Sequence, residues 1–405
     1  MPEPLSPRVV VIGSREDAAR EMRAIGVCEG GIDAMQDKAR TVVLKVSGVT
    51  VPVAHILKQQ MLSLGGDAAV HMHVLTHAVE CSDVLVMGTP LQLKRLVERL
   101  SFQPFDVPAL GERIAVLLDG MLEPRTAVFR GSSFSFDLAE RVRIMGVVNV
   151  TPDSFSDGGL YMQPTEALRH ALKLIDDGAN IIDIGGQSSR PGSEPVSEQE
   201  ELKRVLPIVE MLSEEWAGPI SVDTSSAVVA RETLDAGAAI INDITGFTAD
   251  QALAGVTAER GAACILMHMK GTPATMQKHP TYADLIGEIA GFLADAVERA
   301  RASGLDDEQI AVDPGIGFGK TTKHNLAILR RLPELAVLGR PVVIGTSRKS
   351  FIGSILDLPV EERLEGTIAT AAYAVAQGTR IVRVHDVRPV VRAVRMVEAC
   401  ITQGA

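Results

Sequence analysis

The sequence predicts a (β/α)8 TIM barrel preceded by a smaller N-terminal α/β domain. A short apolar strand, a polar segment and a helix recur eight times from residue 144 onward, and eight such units over about 260 residues are typical of this barrel. Hydrophobic residues make up 46% of the chain and aromatic residues only 3%, which indicates a large aliphatic core. The chain has 405 residues, which leaves room for a second domain. An open doubly wound sheet is the alternative, although it usually has fewer parallel strands.

Residues 1–124 are predicted to form the N-terminal α/β domain. Strands are predicted at residues 8–13, 41–46, 68–75 and 83–87, and helices at residues 16–25, 52–64, 90–100 and 107–118. The region has no GxGxxG after its first strand, no Walker loop and no cluster of catalytic residue types. His71 and His73 alternate on a predicted strand. This spacing could hold a metal ion, and ordinary polar strand positions are the alternative. The sequence therefore does not indicate a function for this domain.

Residues 125–405 are predicted to form the barrel, with a β-hairpin before its first strand and a linker near Pro124. The hairpin spans residues 127–138, and its apolar side chains could plug the bottom of the barrel: Val128, Phe129, Phe134 and Phe136. The barrel strands are predicted to end near Val148, Ile184, Val222, Ile241, Met267, Val312, Ile344 and Val384. Helices are predicted at residues 166–177, 198–213, 225–236, 285–302, 326–331, 366–377 and 389–401.

Polar side chains follow the apolar strands, most densely in the first unit, IMGVVNVTPDSFSDGG at residues 144–159. In a barrel the carboxyl ends of all strands face one mouth, so these side chains are expected to meet there. Asp223 and Asp313 could both accept hydrogen bonds from a flat, donor-rich heterocycle, and Asn242 offers a donor and an acceptor beside them. A buried carboxylate without such partners would be costly.

A second group of strand-end residues fits an anion. Arg383 and His385 are two apart on a strand and project to the same face, and together with Asn149 they suit a phosphate chain. Asn149 could also hold the Mg²⁺ that such a chain usually carries. Lys349 precedes a predicted helix and Ser350 lies in its first turn, where free N–H groups suit a carboxylate.

The charge and the cysteines exclude other classes of protein. The net charge is −11, which argues against nucleic-acid binding and against an anionic membrane surface. The four cysteines lack metal-binding spacing, so we expect free thiols in a reducing compartment. No signal peptide is recognisable, and no apolar run approaches the roughly 18 residues of a membrane span. We therefore expect a cytoplasmic protein.

The barrel motifs resemble those of a known family. NVTPDSFSDGG, GGQSSRPG, SVDT, INDITG, HMKGTPATMQ, DPGIGFGKTTKHN, TSRKSFIG and RVHDV occur in the order found in dihydropteroate synthases, across residues 127–400. The resemblance implies a Mg²⁺-dependent transferase of folate biosynthesis that joins 4-aminobenzoate to a dihydropterin pyrophosphate and releases pyrophosphate. It also implies a homodimer and a target of sulfonamides.

The resemblance further implies roles for individual residues. The residues that match the pterin site are Asp223, Asn242, Asp313 and Lys349, with Met267 as an apolar wall. Asn149 matches the metal position, and Arg383 and His385 match the anion site. The residues that match the mobile second loop are Ser189, Arg190 and Pro191, and those that match the aminobenzoate pocket are Phe318 and Ser350. The catalytic set implied is Asp223, Asp313, Lys349, Arg383 and His385.

One motif departs from the family pattern. Many members read GGEST where residues 185–189 read GGQSS, so Gln187 lacks a charge and Ser189 lacks a methyl group. This difference bears on loop packing and inhibitor response.

Two alternative functions remain. Barrels that pass a methyl group from methyltetrahydrofolate to a corrinoid share the pterin-binding Asp and Asn, but they would not need SRKS or RVH. A non-catalytic pterin-binding scaffold predicts the loss of a site residue, and none is lost.

Overall fold

The computed structural model describes residues 7–104, 106–122, 128–150, 163–187 and 196–403. The chain divides into two compact units, Met1–Glu123 and Pro124–Ala405. The predicted linker at Pro124 and most of the polar segment after the first barrel strand lie outside the described residues. None of the described helices combines the length and the apolar character of a membrane span.

The first unit contains a three-stranded antiparallel sheet in the order β1-β3-β2. Its strands are β1 (Val42–Thr50), β2 (Asp67–Val70) and β3 (Cys81–Gly88), and its helices are α1 (Arg15–Ala24), α2 (Glu29–Met35), α3 (Val51–Ser63), α4 (Pro90–Leu100) and α5 (Val107–Leu122). Buried and exposed residues alternate along β3, so one face of the sheet packs on the apolar side chains of α3 and α4. A capping box between Thr89 and Gln92 starts α4.

Two predictions for the first unit are wrong. Residues 8–13 form no strand, and Val9 and Val11 are largely exposed, because an apolar run without a partner strand gains no ladder of hydrogen bonds. The strand predicted at residues 68–75 ends at Val70, and turns follow it. His71 and His73 therefore do not alternate on a strand; the His73 backbone N–H instead donates to His71 Nδ1 at 3.2 Å. The described residues include no cluster of metal-binding side chains.

The second unit is a barrel of eight parallel strands. They are β6 (Arg143–Asn149), β7 (Ile181–Gly185), β8 (Ile220–Asp223), β9 (Ile240–Asp243), β10 (Ala263–Met267), β11 (Ile310–Asp313), β12 (Val343–Ile344) and β13 (Ile381–Val384). Their order in the sheet is β11-β10-β9-β8-β7-β6-β13-β12. A parallel bridge between Val312 and Val342 joins β11 to the segment before β12 and closes the ring. The barrel prediction is confirmed, and the open doubly wound sheet is excluded.

Helices surround these strands, and the main apolar core lies between the strands and the helices. They are α6 (Pro164–Asp176), α7 (Glu198–Glu215), α8 (Ala227–Asp235), α9 (Leu253–Glu259), α10 (Leu285–Ala302), α11 (Thr322–Arg330), α12 (Ser350–Leu356), α13 (Leu364–Ala376) and α14 (Val387–Gln403). All were predicted except α9, which is only seven residues long and too short to show helical periodicity.

A β-hairpin closes the end of the barrel opposite the mouth. Its strands are β4 (Val128–Gly131) and β5 (Phe134–Asp137), paired antiparallel. Phe129 and Leu138 are fully buried among the residues near the amino ends of the barrel strands, such as Met145 and Ile181. Phe134 packs edge-on against Phe129 with ring centroids 5.5 Å apart. The hairpin therefore fills the floor of the barrel, as predicted from its aromatic residues.

Candidate active site

Strand register brings the predicted polar residues to neighbouring positions at the mouth. Asn149 on β6 pairs with Gly185 on β7, Gly185 pairs with Asp223 on β8, and Asp223 pairs with Asn242 on β9. On the other side of the ring, Met267 pairs with Asp313. Because each of these residues ends its strand or precedes the last residue, their side chains emerge where apolar packing stops.

A fully buried carboxylate lies at the centre of this group. Asp183 on β7 accepts hydrogen bonds from Arg383 Nε at 2.6 Å, from Ser221 Oγ at 2.6 Å and from Asn242 Nδ2 at 3.2 Å. Arg383 also donates from Nη2 to Asp223 Oδ2 at 3.1 Å. One buried anion thus orients a residue of the predicted pterin set, Asn242, and a residue of the predicted anion set, Arg383.

Carboxylates and basic side chains are buried together in this site. Burial raises the pKa of Asp223 to about 7, although Arg383 opposes the shift. Burial also raises the pKa of Asp313, against the influence of Lys349. The pKa of Lys349 falls to about 8 because of burial, with Asp313 opposing. Such displaced values are typical of sites where charge must be matched to a ligand.

Lys349 is held by the loop that follows β11. Its ammonium donates to the carbonyl of Ile316 and lies 4.6 Å from the centroid of the Phe318 ring. The backbone of Gly317 passes the aliphatic stem of Lys349 so closely that a Cβ there would lie 3.1 Å from its Cδ. Lys349 and Phe318, predicted for different substrates, are therefore in contact with each other.

This loop, residues 314–320, is fixed by side chains from several elements. Gly317 O accepts from Gln277 Nε2 at 2.9 Å, and the Gly317 N–H donates to Asn325 Oδ1 at 2.9 Å. Gly315 and Gly319 have positive φ values of 69° and 63°. A Cβ at either residue would collide with a backbone oxygen, that of His268 or of Lys270. Both positions therefore require glycine.

The predicted anion residues lie at the ends of the adjacent strands β6 and β13. Asn149 Nδ2 and His385 Nε2 are 3.3 Å apart, and His385 Nδ1 is 2.9 Å from Ser347 Oγ. Ser347 Oγ also accepts from the His385 backbone N–H at 3.2 Å. A serine hydroxyl therefore orients the imidazole from behind, while its other nitrogen faces Asn149.

The helix start predicted after Lys349 is confirmed, since α12 begins at Ser350. Ser350 is exposed. The neighbouring Arg348 is engaged elsewhere: it donates to both carboxylate oxygens of Asp386, at 2.7 and 2.9 Å. That pair ties the loop after β12 to the loop after β13, and it leaves Lys349 as the cation of this segment that faces Asp313.

A cavity of about 330 Å³ opens beside Asp223, within the size range of small-molecule sites. Its wall combines the hydroxyl groups of Thr224, Ser225 and Thr245 with the apolar side chains of Ile244 and Phe292. Gln187, one of the two departures from the family pattern, also lines it. The predicted second-loop residues lie outside the described residues: Ser189, Arg190 and Pro191.

Sequence reasoning gave no role to two buried residues of this region. The sequence assigned no role to Asp183, which is fully buried, or to Lys320, which is 2% exposed. Both are ionisable residues within or beside an apolar run of the sequence. Such a residue needs hydrogen-bonding partners when it is buried, and this could have indicated a role in the fold.

The barrel is similar in sequence and in structure to known proteins. The family model described as "Pterin binding enzyme" matches residues 145–385. A dihydropteroate synthase from Synechocystis is 50% identical over 265 residues, covering 65% of this chain and 92% of that protein. The crystal structure of a Yersinia pestis dihydropteroate synthase in complex with a sulfonamide drug has a TM-score of 0.65 and 44% identity. It covers 69% of this chain and 100% of the other.

One relative also matches the first unit. A Halobacterium salinarum protein, described as a probable bifunctional folylpolyglutamate synthase/dihydropteroate synthase, is 38% identical over 389 residues, covering 96% of this chain and 46% of that protein. The match must therefore extend into residues before the barrel. Taken with the family model and the relatives of the barrel, it completes the assignment: the chain belongs to the dihydropteroate synthase family of pterin-binding enzymes, transferases of folate biosynthesis.

Proposed function

We propose that the strand-end cluster is where this chain joins 4-aminobenzoate to 6-hydroxymethyl-7,8-dihydropterin pyrophosphate, forming 7,8-dihydropteroate and releasing pyrophosphate. The observation that carries the proposal is the network around Asp183. It connects Asn242, assigned to the pterin, with Arg383, assigned to the pyrophosphate. A substrate that is a flat heterocycle joined to a phosphate chain would contact both ends of this network.

In this proposal the pterin lies between Asp223, Asn242 and Asp313. Their carboxylate and amide groups meet the ring's N–H donors and acceptors, and Met267 and Lys349 complete the enclosure. Asp313 is 7% exposed and Asn242 is 6% exposed, so these hydrogen bonds would form away from water, where they discriminate strongly. Asp223 would exchange its bond with Arg383 for bonds to the ring.

The pyrophosphate would be bound by Arg383, His385 and Asn149. These residues fit a Mg²⁺ ion through the amide oxygen of Asn149. The described residues offer no cluster of three acidic, histidine or cysteine ligands. Because Asn149 turns its amide nitrogen to His385, its oxygen is left as a hard donor. A single such oxygen suits Mg²⁺, which commonly keeps several waters and takes substrate phosphate oxygens as ligands. When bound, Mg²⁺ would neutralise charge on the departing pyrophosphate.

The proposed reaction is dissociative. The bond between the pterin methylene carbon and the pyrophosphate oxygen breaks, and the electron pair leaves with the pyrophosphate. Asp223 and Asp313 stabilise the delocalised pterin cation that remains, and Arg383 and His385 stabilise the leaving anion. The neutral aromatic amine of aminobenzoate then attacks the carbon and loses one proton. Because that amine is already nucleophilic, the site needs no strong general base.

Aminobenzoate is assigned to the side of the mouth where Phe318 and Ser350 lie, with the loop of Ser189, Arg190 and Pro191. The Yersinia pestis relative was crystallised with a sulfonamide drug. We propose that sulfonamides bind here as well, in place of aminobenzoate.

The proposal is tested by measuring pyrophosphate release with and without 4-aminobenzoate. Release that depends on both substrates is expected. In Asp223→Asn and Lys349→Ala the loss of a charged contact to the pterin should cost about 2–4 kcal/mol of transition-state stabilisation, with the fold retained. Near-normal turnover in either folded variant would refute the assignment of the pterin site.

A homodimer is proposed for the same chain. Large apolar side chains are exposed on consecutive elements of the barrel: Leu326, Ile355, Leu356, Val360 and Tyr373. Exposed apolar side chains on helices that pack on one another, α11, α12 and α13, favour a protein–protein contact. Light scattering should give twice the mass of one chain, and a monomer at micromolar concentration would contradict this proposal.

A further inference from the structure

Lys320 is a buried lysine that the proposed reaction does not use. It is 2% exposed, and its ammonium has three acceptors: His268 Nδ1 at 2.9 Å, Phe318 O at 2.9 Å and His268 O at 3.3 Å. Burial lowers the pKa of Lys320 to about 7, with Asp313 opposing the shift. In the ammonium form its three N–H donors are all used. Burial lowers the pKa of His268 to about 3, and the imidazole is therefore neutral and able to accept at Nδ1.

These contacts join two strand ends. His268 follows β10, whereas Phe318 lies in the loop after β11. Tyr282 adds a parallel link, since its hydroxyl donates to Gly319 O at 2.8 Å and its ring contacts that of His268 with centroids 6.1 Å apart. Two side chains thus attach the loop to the β10 side: Lys320, which belongs to the loop, reaches His268 and also holds Phe318 O, and Tyr282 holds Gly319 O.

The same loop forms the socket of Lys349, through Ile316 O, the Gly317 backbone and the Phe318 ring. We propose that Lys320 is a positioning residue: by tying the loop after β11 to the end of β10, it sets the location of Phe318 and of the Lys349 ammonium. The inference rests on the proposed function, because it assigns Lys349 to the pterin and Phe318 to aminobenzoate.

A lysine that only stabilises the core would have a different effect. Both kinds of lysine lower thermal stability when replaced, but only a positioning residue changes substrate binding below the melting temperature. The groups assigned to the leaving pyrophosphate lie on other strands than this loop: Arg383 is on β13, His385 follows β13, and Asn149 ends β6. Loss of Lys320 should therefore affect KM more than kcat.

The test is steady-state kinetics of the full chain carrying Lys320→Met, which keeps the apolar stem of the side chain and removes the ammonium. We expect KM for the pterin pyrophosphate and for aminobenzoate to rise about tenfold, with kcat changed by less than about threefold, since hydrogen bonds to a charged group are lost at a distance from the leaving group. Lys323→Met, an exposed lysine three residues along the chain, is the matched control and should leave both constants unchanged. A lower melting temperature with unchanged KM values would overturn the inference.

Tyr282→Phe provides a milder variant should Lys320→Met not fold. It removes one hydroxyl and keeps the ring, and we expect a KM increase of about threefold. In the double variant the two effects should not add, because both act on one loop. Wild-type KM values in folded Tyr282→Phe would overturn the inference in that case. Failure of the proposed function is distinguishable: it would appear as wild-type pyrophosphate release that does not depend on aminobenzoate, or as normal turnover in Lys349→Ala.

Discussion

Replacement of Asp183 by asparagine tests whether the buried network connects the two halves of the site. The change keeps the shape of the side chain but removes its charge and turns one acceptor oxygen into a donor. Arg383 would retain only Asp223, 3.1 Å from its Nη2. Asn242 would lose the charged acceptor that orients its amide.

The magnitude follows from the contacts. A hydrogen bond to a charged partner contributes about 1.5–3 kcal/mol. Arg383 keeps its second carboxylate, and its side chain is 22% exposed, so we take about 2 kcal/mol, which corresponds to about a 30-fold loss of kcat/KM. The fold should survive, because a neutral amide is easier to bury than a carboxylate.

The assay is pyrophosphate release at varied pterin pyrophosphate, with circular dichroism to verify folding. Asp235→Asn is the matched control: that carboxylate also pairs with an arginine, Arg260, through two contacts of 2.8 and 3.0 Å, but it lies on the surface, where such pairs contribute little. A folded Asp183→Asn enzyme with kcat/KM within about twofold of wild type would refute the reasoning, since this is below the effect of one charged hydrogen bond.

Three further predictions follow from the site and the floor of the barrel. Because the pKa of Lys349 is lowered to about 8, its ammonium is lost as pH rises through that value, and kcat/KM for the pterin substrate should fall there. In Lys349→Arg the side chain stays charged, so kcat/KM should stay high to a higher pH. The same pH dependence in both enzymes would contradict the assignment. Mg²⁺ with pyrophosphate should tighten aminobenzoate binding in calorimetry, and activity should be lost with a chelator; no effect of either would refute the anion site. A chain starting at residue 125 should be soluble and active, whereas one starting at Glu140 should aggregate, since loss of Phe129 and Leu138 from the floor at a few kcal/mol each approaches a typical stability of about 5–15 kcal/mol. Comparable soluble yields would show that the hairpin is dispensable.

The barrel could be predicted because its signals are local and repeated. Each strand is a short apolar run bounded by polar residues, and the predicted strand ends differ from the observed ones by at most the two residues that separate Ile241 from Asp243. The rule that strand ends meet at one mouth then grouped Asp223, Asn242 and Arg383 without any knowledge of contacts.

What could not be predicted depends on contacts between distant segments. Asp183 lies between two isoleucines within β7, and nothing in the local sequence shows that it meets Ser221 and Arg383. Residues 8–13 have the composition of a strand, but a strand must pair with a neighbouring strand. Among the described residues no strand pairs with them, and the local sequence does not show this. The contact between Phe318 and Lys349 likewise joins loops that are about 30 residues apart.

The backbone of the loop after β11 also limits how the enzyme can change. Any side chain at Gly315 or Gly319 would clash with a backbone oxygen of a neighbouring segment. Both positions are therefore restricted to glycine. Phe318, between Gly317 and Gly319, is not held by this restriction, and its ring lies beside the Lys349 ammonium. Under the proposed assignments, a substitution of Phe318 that excludes a sulfonamide would also remove the ring beside the Lys349 ammonium, and it should therefore lower turnover.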